Sequence, residues 1–177
     1  SQSDERSREK APRANGVSGE LGPEQVGSRE VVFEGKIMTV RVDRVRLPNG
    51  SEATREVVGH ADAVTIVPVD EDCNVVLVRQ YRHALGASLL ELPAGAIDEG
   101  EEPAVAAQRE LREETGLAAG RLVLLGGFYS APGFLTEYLH LFLGTELTPS
   151  PLEPDSDEFV EVVRIPVAEL QAMIARG

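Results

Sequence analysis

Hydrophobic and polar residues alternate along the chain from residue 30 onward, which is the two-residue period of half-buried strands. Three segments have this period: residues 31–35, 38–47 and 53–59. Asn49-Gly50-Ser51 lies between the last two segments and predicts a hairpin turn. Residues 63–69 and 74–82 are denser apolar runs, typical of strands buried on both faces. The first half of the chain therefore predicts antiparallel strands followed by buried ones.

A helix is predicted to begin at Pro103 and to end at Gly116. Proline suits the first helical turn because it needs no amide donor there, and glycine suits the left-handed cap. Val105, Leu111 and nearby alanines supply an apolar stripe. Three more strands and a final helix follow, at residues 121–130, 137–147, 158–166 and 166–177. This order predicts the α/β class, as an α/β/α sandwich with a mixed sheet plus N-terminal antiparallel strands.

Composition excludes several classes of function. The 177 residues include 30 acidic and 17 basic side chains, a net charge of −13, so a nucleic-acid partner is not expected. An acidic protein can still bind an acidic substrate when metal ions lie between them. The sequence has no apolar run long enough to predict a membrane span. The single cysteine, Cys73, fits a reducing, cytoplasmic compartment. Residues 1–28 are polar and without a period, which predicts a flexible tail.

Three glutamates share one region of the predicted helix surface. Glu110, Glu113 and Glu114 are three and four residues apart, a spacing that places side chains roughly 5–6 Å from one another. At an effective dielectric near 20, two such charges repel by about 3 kcal/mol. The cluster is tolerated if it is solvated or if a positive group lies among the carboxylates. Carboxylate oxygens are the ligands that Mg²⁺ prefers, together with substrate phosphates.

This part of the chain resembles the Nudix box, in which nine positions between residues 95 and 117 are defined. All nine are matched, by Gly95, Glu101, Arg109, Glu110, Leu111, Glu113, Glu114, Gly116 and Leu117. The alternative interpretation is an acidic, solvated helix of an ordinary domain. The resemblance implies a Nudix fold with the hydrolase domain at 61–177. It also implies that water attacks the diphosphate of a nucleoside diphosphate linked to another group.

The resemblance implies a metal site in this box. Glu110 and Glu114 are expected to be the main ligands of Mg²⁺, with Mn²⁺ as its substitute. Glu113 is expected to be a third, shared or alternate ligand, and the backbone carbonyl of Ala94 a main-chain ligand. Arg109 is expected to orient the glutamates by salt bridges.

The catalytic base is expected on a loop before the last strand, where Glu158 is the best positional match. Glu113 is the alternative base. The acidic run around Glu158 is also consistent with a solvated loop.

Residues outside the box resemble the ADP-ribose pyrophosphatase subfamily. Pro132 lies 15 residues beyond Leu117, and residues 78–86 and 91–95 also look like this subfamily; the alternative interpretation of Pro132 is a Pro-Gly turn between strands. The resemblance implies that Arg82 contacts the diphosphate or terminal ribose, that Arg55 reaches the substrate from the N-terminal strands, and that Glu137 faces the substrate. The expected reaction converts ADP-ribose to AMP and ribose 5-phosphate.

The N-terminal strands depart from the subfamily. Relatives often stack the adenine on an aromatic side chain there, whereas this chain has Ile37 and Met38, which offer dispersion with less stacking preference. Residues 29–60 are expected to provide dimerisation and substrate contacts, in a homodimer with exchanged N-terminal strands. The chain stops at Gly177 as its last helix starts, so we expect it to be shorter than its relatives.

Two other functions remain open. The first is a Nudix hydrolase of another nucleotide sugar or dinucleotide, such as GDP-mannose or NADH. The second is a non-catalytic Nudix domain that senses a nucleotide. The intact box and the lack of a basic extension favour an enzyme.

Overall fold

The computed structural model describes residues 22–153 and 159–176. Within these ranges ten strands and two helices follow one another: β1 Gln25–Glu34, β2 Met38–Arg46, β3 Glu52–His60, β4 Ala63–Pro68, β5 Asn74–Arg82, β6 Ala87–Glu91, β7 Ala94–Ala96, α1 Pro103–Thr115, β8 Leu117–Tyr129, β9 Tyr138–Pro149, β10 Val160–Pro166 and α2 Val167–Arg176. No helix in this part of the chain is long and apolar enough to cross a membrane.

Strands β1, β2 and β3 form an antiparallel sheet, which we call the N-terminal sheet. The predicted hairpin turn is present, because Leu47 N–H donates to the Ser51 carbonyl at 2.8 Å and Gly50 has a φ of 83°. Strand β1 begins at Gln25, four residues before the predicted start of this unit at 29. None of the sheet's three strands packs broadly on another described strand or helix.

The remaining strands form two sheets that enclose the core. One is mixed and four-stranded, in the order β7-β4-β9-β8, with β4 and β9 parallel. The other has the order β10-β5-β6 and is antiparallel. Helix α1 contacts strands of both sheets, whereas α2 packs on β5 and β10. The predicted α/β class with a mixed sheet and N-terminal antiparallel strands is thus confirmed.

Helix α1 begins at Pro103 and is capped by Gly116 with a φ of 73°, both as predicted. Its buried face differs from the predicted apolar stripe. Ala106, Ala107 and Leu111 are buried, but Val105 is 58% exposed, because it lies on the opposite side of the helix. Two charged side chains, Glu110 and Glu114, take part in the buried face instead. Leu117, the last position of the box, is half-buried at the start of β8.

Candidate active site

The short strand β7 brings the box loop against α1. Ala94 and Gly95 pair with Thr65 and Val64 of β4. The Ala94 N–H donates to Glu114 Oε2 at 3.0 Å. A Cβ atom at Gly95 would overlap the Glu110 carboxylate. The glycine therefore leaves the space that this buried carboxylate occupies.

Arg109 is the positive group among the carboxylates. Its guanidinium donates to Glu110 Oε1 at 2.5 Å, to Glu113 Oε2 at 3.1 Å and to both oxygens of Glu101 at 2.8 and 3.0 Å. It also donates to the Ala96 carbonyl at 3.0 Å, which ties the helix to the box loop. These contacts are those expected of a residue that orients the glutamates.

The charges of Arg109 and Glu101 stabilise each other. The hydrogen bond from Arg109 lowers the pKa of the Glu101 carboxyl, and the amide of Asp98 lowers it further. The hydrogen bond to Glu101 in turn raises the pKa of Arg109 above its ordinary value. Both groups stay ionised at neutral pH, so the box keeps a fixed internal ion pair.

The donor chemistry of the box suits a hard divalent cation. Glu110 and Glu114 are 8% and 4% exposed, and Gly95 leaves room for the first of them. Carboxylate oxygens on one helix, partly withdrawn from water, match what Mg²⁺ requires. Within residues 22–153 and 159–176, no group of three or more His, Cys, Asp or Glu side chains has converged as a metal cage. Arg109 pairs with Glu110 and Glu113, whereas Glu114 accepts a hydrogen bond from the Ala94 N–H.

Arg82 and Arg55 both lie outside the box and both are half-exposed. Arg82 ends β5 and forms an ion pair with Glu91 of β6 at 2.7 Å, with a second bond at 2.9 Å. Arg55 lies in the N-terminal sheet and pairs with Glu24 at 2.5 Å. Glu91 is three residues before Ala94, so Arg82 is held beside the start of the box loop. Among the described residues, the hydrogen bonds of Arg55 are to Glu24 and to the Thr54 carbonyl.

Pro132 belongs to a loop, residues 130–137, that docks on the N-terminal sheet. The Val58 N–H donates to the Phe134 carbonyl at 2.7 Å, and the Thr136 N–H donates to the Val58 carbonyl at 3.0 Å. Glu137, at the end of this loop, pairs with His60 Nδ1 at 3.2 Å. The loop therefore joins the two parts of the chain, and the carboxylate of Glu137 is engaged by a histidine.

A cleft of about 370 Å³ opens where this loop meets the N-terminal sheet. Ile37 and Met38 line it, together with Thr136 and His60. The prediction from the sequence did not include His60 or Glu91. Signals for both were present, since His60 ends the segment that contains Arg55 and Glu91 begins the segment before the box.

Glu158 and Glu113 are the two predicted candidates for the catalytic base. Glu158 lies outside the described residues. Glu113 lies on α1, where its carboxylate accepts a hydrogen bond from Arg109.

Comparisons with known proteins show the family of this chain. Residues 59–177 match the NUDIX domain, and residues 24–58 match the nucleoside diphosphate sugar hydrolase N-terminal domain. The chain therefore belongs to the NUDIX family. It is 39% identical over 153 residues to an ADP-ribose pyrophosphatase of Bacillus subtilis, covering 85% of this chain and 83% of that protein. It is 41% identical to an ADP-ribose pyrophosphatase of Mycobacterium tuberculosis, with 85% and 74% covered. A crystal structure of an ADP compounds hydrolase superposes with a TM-score of 0.81 at 29% identity, covering 89% of this chain and 86% of that one.

Proposed function

We propose that this chain is a metal-dependent hydrolase that converts ADP-ribose to AMP and ribose 5-phosphate. The observation that carries the proposal is the packing of the Glu110 carboxylate against Gly95, in a chain whose residues 24–58 match the nucleoside diphosphate sugar hydrolase N-terminal domain. The names of the similar proteins support ADP-ribose as the substrate. We further propose that the reaction takes place in the cytoplasm, since the single Cys73 suits a reducing compartment.

The chemistry requires positioning and charge stabilisation more than covalent help. Mg²⁺ or Mn²⁺, when bound, neutralises the diphosphate and activates water. We assign Glu110, Glu113, Glu114 and the Ala94 carbonyl to hold the metal. Arg109 keeps the first two of these carboxylates oriented through its hydrogen bonds.

The water oxygen forms a bond to one phosphorus while the bridging P–O bond breaks. Glu158 is our first candidate to accept the proton of this water, and Glu113 is the second.

Arg82 is assigned to the diphosphate or the terminal ribose. Its pairing with Glu91 holds the guanidinium near the start of the box loop, and an arginine fork suits bidentate binding of phosphate oxygens. We assign Pro132 to shape the loop at 130–137 on the side that faces the substrate. Glu137, at the end of this loop, faces the same side, and we assign it to hold the ring of His60.

We propose that two copies of the chain form a homodimer by exchanging their N-terminal sheets. Strand β1 is exposed along its whole length, including Val31, Val32 and Phe33, and its sheet packs broadly on no other described element. Such an apolar surface is a candidate interface. Charge supports the pairing, because residues 61–177 hold 20 acidic and seven basic side chains whereas residues 24–60 hold six of each. In such a dimer Arg55 of one copy would serve the box of the other.

A substrate panel tests the proposed function. AMP release from ADP-ribose, NADH and diadenosine polyphosphates, and GMP release from GDP-mannose, would be measured with Mg²⁺ and with a chelator. The proposal predicts chelator-sensitive turnover that is fastest with ADP-ribose. Faster turnover of GDP-mannose or NADH would reject the substrate assignment and keep the metal site. Absence of turnover with all compounds would favour a nucleotide-sensing domain.

A further inference from the structure

The cleft between the N-terminal sheet and the loop at 130–137 contains one side chain with an uncommitted ring nitrogen. Ile37 and Met38 give the cleft apolar walls, and His60 lines it as well. Lys36, Thr39, Arg41 and Thr136 also line it, so this open cleft of about 370 Å³ is partly apolar and partly polar and suits a planar, partly polar ligand.

His60 is fixed in position by contacts on both sides of its backbone. Its N–H donates to Thr136 Oγ1 at 3.0 Å, and the same hydroxyl donates to the His60 carbonyl at 3.2 Å. The ring Nδ1 lies 2.8 Å from the Ala61 carbonyl oxygen and 3.2 Å from Glu137 Oε1. The side chain is 26% exposed, so the ring has little freedom to rotate.

These contacts determine the tautomer of the imidazole. Both neighbours of Nδ1 are acceptors, so Nδ1 must carry the proton. In the neutral ring Nε2 is then an acceptor, and within the described part of the chain it has no hydrogen-bond partner. An acceptor at this position is complementary to a hydrogen-bond donor on a ligand.

The cleft lies within reach of the box. His60 precedes Ala63 by three residues, about 10 Å at the rise of a strand, and Ala63 pairs with Ala96 of the box loop. Asp62 also accepts a hydrogen bond from the Ile97 N–H at 2.9 Å. A nucleoside diphosphate with its phosphates at the box can therefore extend its base into a cleft at this distance.

We propose that His60 is a specificity-determining residue, whose Nε2 accepts a hydrogen bond from the exocyclic amino group of the substrate's base. Glu137 and Thr136 are its positioning residues. This inference rests on the proposed hydrolysis of ADP-ribose. Because Ile37 and Met38 give little stacking preference, the base is selected by this hydrogen bond and not by an aromatic platform.

The test compares ADP-ribose with an analogue that carries purine in place of adenine and so lacks only the amino group. Selection is measured twice at pH 8, as the ratio of Kd values by calorimetry with a chelator and as the ratio of kcat/KM values with Mg²⁺. We expect the wild type to prefer ADP-ribose by about tenfold, the effect of one hydrogen bond of about 1.4 kcal/mol. His60→Leu should bring both ratios close to one. The matched control is His83→Leu, at an exposed turn between β5 and β6, which should leave them unchanged.

Variants of Glu137 separate this role from a structural one. Glu137→Gln keeps an oxygen acceptor for Nδ1–H and should retain most of the selection, whereas Glu137→Leu should lose it with little change in melting temperature. If His60→Leu failed to fold, the Glu137 pair would still decide the question. A wild-type ratio near one, or an unchanged ratio in His60→Leu or Glu137→Leu, would overturn the proposal. Selective binding of ADP-ribose without turnover would contradict the hydrolase and support the role of His60.

Discussion

Replacing Gly95 by alanine is the smallest change that tests the geometry of the box. The added methyl group would overlap the Glu110 carboxylate, which is 8% exposed and bonded to Arg109 at 2.5 Å. The added methyl group carries no charge, so the substitution acts by steric overlap alone. Either the carboxylate moves, or β7 shifts away from α1.

The size of the effect follows from the cost of overpacking a buried site, about 1–3 kcal/mol. If that cost appears entirely as a displaced carboxylate in the transition state, kcat/KM falls by about 5- to 150-fold. If it appears as lost stability, the melting temperature falls by about 2–12 °C for a chain of this size. Because Glu110 is held by a side-chain contact that can adjust, we expect most of the loss in activity.

Steady-state hydrolysis of ADP-ribose and thermal unfolding would be measured on Gly95→Ala together with a control. Gly22→Ala is the control, because a Cβ atom there meets nothing nearer than Pro48 at 3.9 Å. Mn²⁺ binding by electron paramagnetic resonance adds a readout that needs no turnover, and it should weaken in Gly95→Ala. Wild-type activity, stability and metal affinity in Gly95→Ala would refute the assignment of Glu110 to the reacting centre.

Three further predictions concern charge, catalysis and assembly. Arg109 lowers the pKa of Glu101, so the ionised pair stabilises the fold above the ordinary pKa of 4.5, and this stability is lost as the pH falls through the lowered pKa. Glu101→Gln should therefore melt lower than the wild type at pH 7, with a smaller difference below pH 4.5; an equal difference at both pH values would contradict the pairing. Glu114→Gln should lose at least about 100-fold in kcat while keeping its fold by circular dichroism, because the orientation and charge of one ligand change. Val31→Arg should shift the chain to monomers in sedimentation and lower its activity, whereas Ile174→Arg, at an even more exposed apolar position on α2, should change neither; full activity in a proven monomer would argue against a shared site.

The parts of the fold that were predicted correctly depend on local rules. Pro103 and Gly116 set the limits of α1 because proline lacks an amide donor and glycine adopts a positive φ at low cost. The hairpin turn at Gly50 was predicted for the same reason as the cap at Gly116, since Gly50 also has a positive φ. Spacing along a helix also predicted that Glu110 and Glu113 share a surface, and the positive group expected among them is Arg109.

Features that depend on distant pairing were missed. Val105 was assigned to the apolar stripe, but the buried face of α1 is set by both sheets and includes Glu110 and Glu114. The contact between Glu137 and His60 joins residues 77 positions apart, so the hydrophobic periodicity of the sequence cannot predict it. The same holds for the hydrogen bonds that join Phe134 and Thr136 to Val58 of β3, next to the cleft that Thr136 lines. Such contacts arise from the topology of the sheets and not from local propensity.

Product analysis with metal withdrawn and restored tests the central claim most directly. Wild-type protein would be treated with a chelator, incubated with ADP-ribose, and then supplied with excess Mg²⁺, with Glu114→Gln as the parallel sample. The account predicts no products before Mg²⁺ is added, equal amounts of AMP and ribose 5-phosphate afterwards, and little of either from the variant. Unequal or different products, or formation of AMP at the same rate in the presence of chelator, would contradict it.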